Sequence, residues 1–301
     1  MNTKEKLQNS FANTTPLAGT YGIEVEFVNR SGLSHYDIAD MMNDYLDEIG
    51  SAEKINACSY GRAGEYNNRD QWAIHPDSSC GLEMPTPILT GEHGLQRLEL
   101  MIEVLKIVTD DNVSVNNRCG LHVHLGKTQF NNMNHLTKFV ANYMYYEPAI
   151  DKLVPESRRG NQNRSYASSI HSPVDQKAIK SGDWTTGVNG IDKLRYEKNA
   201  QMITRRGAKI NITGYKPTIE VRHHSGTLNI DKISTWVRFL DFMIRWSALE
   251  ETRVPNINIY DFADDREAYT HKVWKQLLSK MNTVGQQELA TAIKKRARQL
   301  S

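Results

Sequence analysis

The chain has 301 residues, of which 39% are hydrophobic and 8% aromatic, enough to bury a full core in one large domain or two. Its 37 Lys and Arg against 35 Asp and Glu give a formal net charge of +2, which excludes the large positive excess of a typical nucleic-acid-binding protein. Three cysteines without Cys-x-x-Cys spacing indicate a reducing compartment. Residues 1–17 have no apolar signal-peptide core and no run reaches ~18 apolar residues, so we expect a cytoplasmic protein without a membrane segment.

The first predicted strand, residues 20–27, carries two carboxylates on one face. In an extended chain Glu24 and Glu26 point one way, while the apolar side chains at 23, 25 and 27 point the other way. Like charges at this distance require a cation or abundant water. A half-buried strand with a solvated polar face is the ordinary alternative for any single segment of this kind.

A predicted helix over residues 33–49 precedes two more segments with metal-ligand side chains. Residues 74–79 place His75 beside Asp77 on one strand face, and residues 81–87 carry Glu83. Pro85 lacks a backbone N–H, so the strand that holds Glu83 should lie at a sheet edge or end at this proline. A second helix is predicted over 94–108, and we expect both helices to cover the apolar face of the sheet.

The strand at residues 119–125 places His122 and His124 on one face and leucine and valine on the other. This pair, with Cys119 beside it, could form part of a zinc site, but it needs a further ligand from elsewhere. Carboxylate oxygens dominate the whole set of candidate ligands. Such hard ligands favour magnesium or manganese.

A helix over 132–150 is followed by a long polar segment, residues 156–201, with eight basic against five acidic residues. Loops of this length tend to be lids or substrate-binding loops, and a disordered connector is the alternative. Arg158, Arg164, Lys193 and Arg195 are candidates for contacting nucleotide phosphates or an acidic substrate. The chain has no phosphate-binding glycine loop, so we expect the sheet, metals and these side chains to hold a nucleotide.

The last predicted strand, residues 218–224, brings Glu220, Arg222 and His224 to one face. An arginine beside a metal-binding carboxylate can hold a phosphoryl group through two parallel N–H donors, whereas the simpler interpretation is an ion pair with Glu220. Helices are predicted over 230–249, 267–281 and 285–300. We divide the chain into a polar N-terminal arm (1–19), a catalytic domain (20–252) and a C-terminal helical extension packed on the same domain (253–301).

Taken together, these strands resemble the amidoligase family, a small branch of the glutamine synthetase and glutamate–cysteine ligase superfamily. The resemblance covers about residues 20–250 and consists of motifs in the family's order, each weak alone and strong together. His223 and His224 depart from the family, where many relatives carry apolar or aromatic residues. The motifs are GIEVE at 22–26, HPDSS at 75–79, EMPTP at 83–87, CGLHVH at 119–124, Asn211, and EVRHHSGT at 220–227.

The resemblance implies an α+β fold like the glutamine synthetase catalytic domain, with a curved, mainly antiparallel sheet and helices on one face. It implies that Arg222 contacts the transferred phosphate and that Asn211 lies on the substrate or nucleotide side. Asp77 resembles a position at the acceptor or metal site. The residues implied to hold two or three magnesium ions are Glu24, Glu26, Glu83, His122 or His124, and Glu220.

The resemblance also implies an ATP-dependent ligase that joins a small-molecule or peptide carboxylate to an amine through an acyl phosphate. ATP and Mg²⁺, with Mn²⁺ as the substitute, would be the cofactors, and neither nucleic acid nor membrane would be required. The resemblance does not determine the oligomeric state, because related ligases range from monomers to rings, and a homo-oligomer is one of the alternatives. Two other functions are retained as alternatives. One is a metal-dependent hydrolase that uses the same residues, and the other is a non-catalytic binding module that uses residues 156–201.

Overall fold

The computed structural model describes residues 3–59, 70–159, 167, 169–170, 207–212, 217–249 and 265–301. Within these ranges the chain forms helices and a mostly antiparallel arrangement of strands, which confirms the expected α+β class. The helices are α1 (Thr3–Ala12), α2 (His35–Glu48), α3 (Gly91–Val108), α4 (Met133–Ile150), α5 (Ile230–Ala248), α6 (Arg266–Thr283) and α7 (Gln287–Gln299). The strands are β1 (Thr20–Asn29), β2 (Ile55–Ala57), β3 (Trp72–Asp77), β4 (Gly81–Pro85), β5 (Leu89–Thr90), β6 (Val113–Ser114), β7 (Gly120–Gly126), β8 (Ile210–Asn211) and β9 (Thr218–Ser225).

The chain divides into two compact units, each made of segments that are distant in sequence. The first unit contains residues 1–16, 126–223 and 235–301, and the second contains residues 17–125 and 224–234. Most of the helices belong to the first unit, and most of the strands belong to the second. In the part of the chain that the structure describes, no helix has both the length and the apolar character needed to cross a bilayer.

The second unit is built on a sheet with the strand order β2-β3-β4-β1-β7, and β5 and β6 also pair with β1. The pairs made by β1 and the β3–β4 pair are antiparallel, whereas β2 and β3 are parallel. Strand β4 therefore lies inside the sheet, between β3 and β1. It ends at Pro85, which satisfies the expectation that a residue without an N–H closes this strand.

Helix α2 follows from its sequence pattern and from a strong start signal. Ser34 caps the helix by accepting from the Asp37 N–H, while the Asp37 side chain accepts from the Ser34 N–H. Ile38, Met42 and Leu46, four residues apart, are fully buried. Each such burial contributes roughly 1.5–3 kcal/mol relative to an exposed side chain.

Helix α3 lies close to β1 because Gly94 has no side chain. A Cβ at Gly94 would stand only 2.6 Å from the Tyr21 hydroxyl oxygen. That hydroxyl donates to the carbonyl oxygen of Gly91 at 2.8 Å, at the start of the same helix. The helix begins at Gly91, three residues before the predicted start at 94. A small residue at Gly94 thus allows the close approach of helix and strand.

The first unit is held by aromatic packing along α5. Trp236 stacks on Phe239, and Phe242 stacks on Trp246, with ring centroids 5.6 Å and 6.4 Å apart. Within the N-terminal arm expected at 1–19, residues 3–12 form α1, and its Phe11 is buried with its ring centroid 5.8 Å from that of Phe242. The sequence analysis did not predict this helix, because only two large apolar residues in it, at 7 and 11, share a face.

Candidate metal-binding site

The polar face of the second unit's sheet collects the predicted ligands through strand register. Glu24 on β1 lies directly opposite His122 on β7, and Glu26 lies directly opposite Glu83 on β4. Glu83 in turn lies opposite His75 on β3. Side chains of directly paired residues point to the same face, so four strands present carboxylates and imidazoles together. We call this set the carboxylate–imidazole face: Glu24, Glu26, His75, Glu83, His122 and His124.

Glu24 is the centre of this face, because one carboxylate contacts two imidazoles. Its Oε2 lies 2.9 Å from His122 Nδ1, and its Oε1 lies 2.8 Å from His124 Nε2. Burial alone would raise the pKa of Glu24. The charge of His124 and the hydrogen bonds from both histidines outweigh burial and hold this pKa well below its usual range. Contacts with the two histidines therefore favour the ionised form of Glu24.

Glu26 is 4% exposed and is fixed by a backbone donor. The Gly120 N–H donates to Glu26 Oε2 at 2.6 Å, while Oε1 lies 3.5 Å from His122 Nε2. Gly120 cannot carry a side chain without disturbing this contact, since a Cβ would stand 2.7 Å from His122 Nε2. No role was predicted for this glycine from the sequence. Its position inside the CGLHVH motif was the feature of the sequence that could have indicated a role for Gly120.

Glu83 and His75 form a second carboxylate–imidazole pair, with His75 Nε2 3.2 Å from Glu83 Oε1. Burial raises the pKa of Glu83, and the nearby charge of Glu24 raises it further. Burial would lower the pKa of His75, but contact with Glu83 raises it overall. From the sequence, His75 was predicted to lie beside Asp77, but it was not among the predicted metal ligands. Its role as the partner of Glu83 depends on the pairing of β3 with β4.

Glu24, Glu83 and His122 offer one ligand atom each, and these three atoms lie within 4.8 Å of one another. Two carboxylates this close repel each other, and this repulsion adds to burial in raising the pKa of Glu83. A divalent cation would relieve that repulsion. Carboxylate oxygens with one imidazole nitrogen fit Mg²⁺ or Mn²⁺, so the residues present fit the metal that the sequence implied.

Asp77 lies at the end of β3 and belongs to a different group of side chains. Its Oδ1 accepts from the N–H groups of Ser79 at 2.7 Å and Cys80 at 3.2 Å, and also from the Ser79 hydroxyl. Burial would raise the pKa of Asp77, but these hydrogen bonds lower it overall. The carboxylate is thus a better partner for an ammonium group than an acceptor of its proton. Glu26, Asp77 and Cys80 also offer ligand atoms within 4.8 Å of one another.

In the first unit, Glu220 and Arg222 lie on β9 as an ion pair on one strand face. Asn211 on β8 lies directly opposite Glu220 and donates from Nδ2 to Glu220 Oε2 at 2.8 Å. The ion pair is the alternative that the sequence analysis set against phosphate contact by Arg222. Within the described residues, Arg222 Nε and Asn211 Oδ1 are buried without a hydrogen-bond partner. One donor and one acceptor are thus available to a ligand.

Behind β8 and β9 the first unit contains a buried charge cluster that the sequence did not predict: Tyr143, Glu147, Asp151, Lys209 and His223. Lys209 is fully buried and donates to Glu147 Oε1 at 2.9 Å and to Asp151 Oδ1 at 2.5 Å. The His223 imidazole lies between Asp151 and the Tyr143 hydroxyl, 2.8 Å from each. These partners are 58 to 80 residues apart in sequence, so no local pattern reveals them.

Of the remaining predicted residues, some lie in the described part of the chain and others do not. Arg158 lies in the short 3₁₀ turn Glu156–Arg158 and is only 6% exposed. His224 is buried on β9, where its Nδ1 lies 2.7 Å from the Ser225 carbonyl oxygen. Arg164, Lys193 and Arg195, with most of the segment 156–201, lie outside the described residues. Their proposed contacts stay predictions.

Three solved structures are similar to this chain. A "GmaS/ADP complex" has a TM-score of 0.49 and 12% identity, with 98% of this chain and 72% of that chain covered. A "novel glutamine synthase homolog" has a TM-score of 0.44 and 11% identity, with coverage of 98% and 70%. The complex of the prokaryotic ubiquitin-like protein Pup with its ligase PafA has a TM-score of 0.40 and 9% identity, with coverage of 95% and 64%. A comparison with curated protein sequences gives no match.

The family comparison covers the strands and helices that build the site. The family described as "Putative amidoligase enzyme" matches residues 18–244. This range contains the whole carboxylate–imidazole face, Asp77 and the Glu220–Arg222 pair, and it is close to the range of 20–250 expected from the motifs. The chain therefore belongs to the amidoligase family.

Proposed function

We propose that this protein is an ATP-dependent carboxylate–amine ligase that forms an amide bond through an acyl phosphate. The observation that carries the proposal is the meeting of Glu24, Glu83 and His122 within 4.8 Å. Membership of the amidoligase family supports an amide-bond ligase at the general level. In such a reaction the substrate carboxylate attacks the γ-phosphorus of ATP and releases ADP. The amine then attacks the acyl phosphate and releases inorganic phosphate.

Glu24, Glu83 and His122 would hold Mg²⁺ or Mn²⁺, and Glu26 and His124 would complete this ligand set. Glu220, in the first unit, is proposed as a metal ligand by resemblance only. The ion supplies charge neutralisation for the triphosphate during phosphoryl transfer. The role of Glu24 follows from its two contacts, since His122 at 2.9 Å and His124 at 2.8 Å fix the orientation of its carboxylate. Such fixed orientation keeps ligand atoms in place before an ion binds.

Arg222 would contact the transferred phosphoryl group. Glu220 holds its guanidinium through one nitrogen, and the buried Nε has no hydrogen-bond partner among the described residues. A guanidinium fixed in this way can donate to a phosphate oxygen without breaking the ion pair. Asn211 Oδ1 has no hydrogen-bond partner in the part of the chain that the structure describes, and Asn211 is proposed to contact nucleotide or substrate. Arg158, Arg164 and Lys193 stay candidates for the nucleotide phosphates.

Asp77 would bind the ammonium form of the amine substrate. Its lowered pKa keeps the carboxylate ionised, which favours a cationic partner. Replacement of Asp77 by Asn should therefore raise the KM for the amine while acyl-phosphate formation continues. Hydroxylamine trapping separates these steps, because it captures the acyl phosphate without the amine substrate. Loss of trapping in Asp77→Asn would place Asp77 in the first step instead.

The general test is ADP release with mixtures of carboxylates and amines in the presence of Mg²⁺. A ligase should release ADP only when a carboxylate substrate is present, and hydroxylamine should convert the intermediate into a hydroxamate. A metal-dependent hydrolase on the same face would cleave its substrate with water and without ATP. A binding module would show salt-sensitive binding that survives Glu24→Gln. Either of these two outcomes, without ADP release, would overturn the proposal.

A further inference from the structure

A sulfur-containing group of ligand atoms lies beside the carboxylate–imidazole face. Glu26, Asp77 and Cys80 each offer one ligand atom, and the three atoms lie within 4.8 Å of one another. The Cys80 Sγ lies 3.6 Å from Asp77 Oδ1. Two carboxylates and one thiol differ in kind from the group formed by Glu24, Glu83 and His122. The thiol is a soft ligand, which magnesium does not select.

Backbone contacts hold the Asp77 and Glu26 side chains in place. The Asp77 carboxylate accepts from the N–H groups of Ser79 and Cys80, and the Glu26 carboxylate accepts from the Gly120 N–H at 2.6 Å. Among the described residues, the hydrogen bonds to Asp77 end on Oδ1, so Oδ2 is available to an ion. The Arg118 guanidinium donates to the Ser78 carbonyl oxygen at 3.1 Å, which attaches this turn to the start of β7. Ligands fixed in this way lose little conformational entropy when an ion binds.

Two of the three ligand residues are accessible to solvent. Asp77 and Cys80 are only partly buried, whereas Glu26 is buried. The cysteines at 58, 80 and 119 form no disulfide, so the Cys80 sulfur is present as a thiol. A second thiol lies close by, since Cys119 interacts directly with the Cys80 side chain.

We infer that Glu26, Asp77 and Cys80 form a binding site for a thiophilic divalent cation of the zinc type, which we call the sulfur site. Zinc combines thiolate and carboxylate ligands in tetrahedral coordination, and three protein ligands leave a fourth position for water or a substrate group. The sequence had pointed to zinc at His122 and His124 beside Cys119. The structure instead assigns the sulfur ligand to Cys80, in the turn between β3 and β4.

Cobalt(II) absorption tests the sulfur site directly, because only a cobalt–thiolate bond produces an intense charge-transfer band in the near ultraviolet. The full-length protein is reduced and titrated with Co²⁺ without Mg²⁺, because Glu26 is also assigned to the proposed Mg²⁺ ligand set. One thiolate band should grow and saturate, since cobalt bound only by oxygen and nitrogen ligands adds no such band. Added Zn²⁺ should remove it, because zinc competes for the same ligands.

Three cysteine variants give matched controls. Cys80→Ser should abolish the band, whereas Cys58→Ser, which changes a buried cysteine outside the group, should retain it. Asp77→Asn should weaken cobalt binding by about tenfold or more, the usual effect of changing one ligand or its support. Absence of a band in the wild type would overturn the inference. So would a band that survives Cys80→Ser and disappears in Cys119→Ser.

The test of the sulfur site does not depend on the proposed ligase activity, although an ion at this site and the ammonium group of the amine would compete for Asp77. Its readout is absorption by bound cobalt, whereas the ligase is tested by ADP release with Mg²⁺ alone. The Cys80-dependent band without ADP release would contradict the ligase proposal and support the sulfur site. Mg²⁺-dependent ADP release without a thiolate band would support the ligase proposal and contradict the sulfur site.

Discussion

Gly120 controls the spacing of two ligand side chains, and its replacement tests whether that spacing matters. A Cβ at this position would stand 2.7 Å from His122 Nε2 and 3.4 Å from Glu26 Oε2. Gly120→Ala should therefore displace both side chains and weaken Mg²⁺ binding by about tenfold or more, as changes near metal ligands commonly do. Isothermal titration calorimetry with MgCl₂ would measure the change.

The neighbouring strand offers a matched control for Gly120→Ala. A Cβ at Gly22 on β1 would meet His124 Cβ and Thr86 Oγ1 at 3.8 Å each, which is ordinary van der Waals contact. Gly22→Ala should therefore leave Mg²⁺ binding within about twofold of the wild type. Equal losses in the two variants would mean that spacing at Gly120 has no specific effect on the ligands.

His223 should make the protein less stable in mild acid. Burial lowers the pKa of His223, and the positive charge of Lys209 adds to the effect, while the hydrogen bond to Asp151 opposes it. The unfolded chain gains a proton on this histidine below about pH 6.5, whereas the folded chain does not until a lower pH. The free energy of unfolding should thus fall as pH decreases below about 6.5, by up to roughly 1.4 kcal/mol per pH unit from this residue.

Urea unfolding between about pH 7.5 and 5.5 would measure this dependence. The loss should be smaller in His223→Gln, because glutamine does not titrate and its amide can still donate to Asp151. His271→Gln, which changes an exposed histidine, is the control and should follow the wild-type profile. Identical profiles for wild type and His223→Gln would contradict the assignment of a neutral buried imidazole.

At the scale of elements, Lys209 joins β8 to α4 by cancelling buried negative charge. Its Nζ contacts Glu147 on α4 and Asp151 directly after it, and its carbonyl oxygen accepts from the Arg222 N–H on β9 at 2.8 Å. Lys209→Met would remove the Nζ contacts of two buried carboxylates, of which Asp151 keeps the Arg266 guanidinium at 3.5 Å, and removing one partner of a buried ion pair costs about 3–5 kcal/mol. Chemical denaturation gives this value from the shift of the midpoint.

An exposed lysine provides the comparison for Lys209→Met. Lys106 pairs with Glu103 at 2.7 Å on the surface of α3, where the Glu103 side chain is 55% exposed. Surface pairs of this kind contribute about 0–1 kcal/mol, so Lys106→Met should change stability little. If both variants lose the same amount, the buried cluster has no special contribution.

The strands of the site were the elements that the sequence predicted best. The period-two alternation around Glu24 and around His122 determines which side chains share a face, whatever the tertiary arrangement. Helix ends were predicted within a few residues, as with α2, expected over 33–49 and observed at His35–Glu48. Helix α1 was missed because its apolar face is short and its remaining residues are polar.

Contacts between distant segments were beyond prediction from pattern alone. The Lys209–Glu147 bond joins residues 62 apart, and neither residue lies in a motif of the family as the sequence analysis described it. The approach of Cys80 to Glu26 and Asp77 depends on how β3, β4 and β1 pair, which no local pattern specifies. For the same reason His75 could be placed beside Asp77 but not opposite Glu83.

At the scale of the whole molecule, the residues with proposed functional roles are distributed over both units. The second unit carries the carboxylate–imidazole face and Asp77, and the first carries Asn211, Glu220 and Arg222. Family motifs therefore lie in both units, and the match over residues 18–244 includes parts of each. A fragment limited to either unit would lack part of the proposed machinery, so activity should be measured on the full chain.

The central claim is that the carboxylate–imidazole face holds metal ions that bind a nucleoside triphosphate. Calorimetric titration of the full-length protein with a nonhydrolysable ATP analogue, with and without Mg²⁺, tests this claim most directly. The account predicts binding that requires Mg²⁺ and that weakens about tenfold or more in Glu24→Gln, with unchanged folding by circular dichroism. Analogue binding that is equally tight without Mg²⁺ or in Glu24→Gln would contradict it.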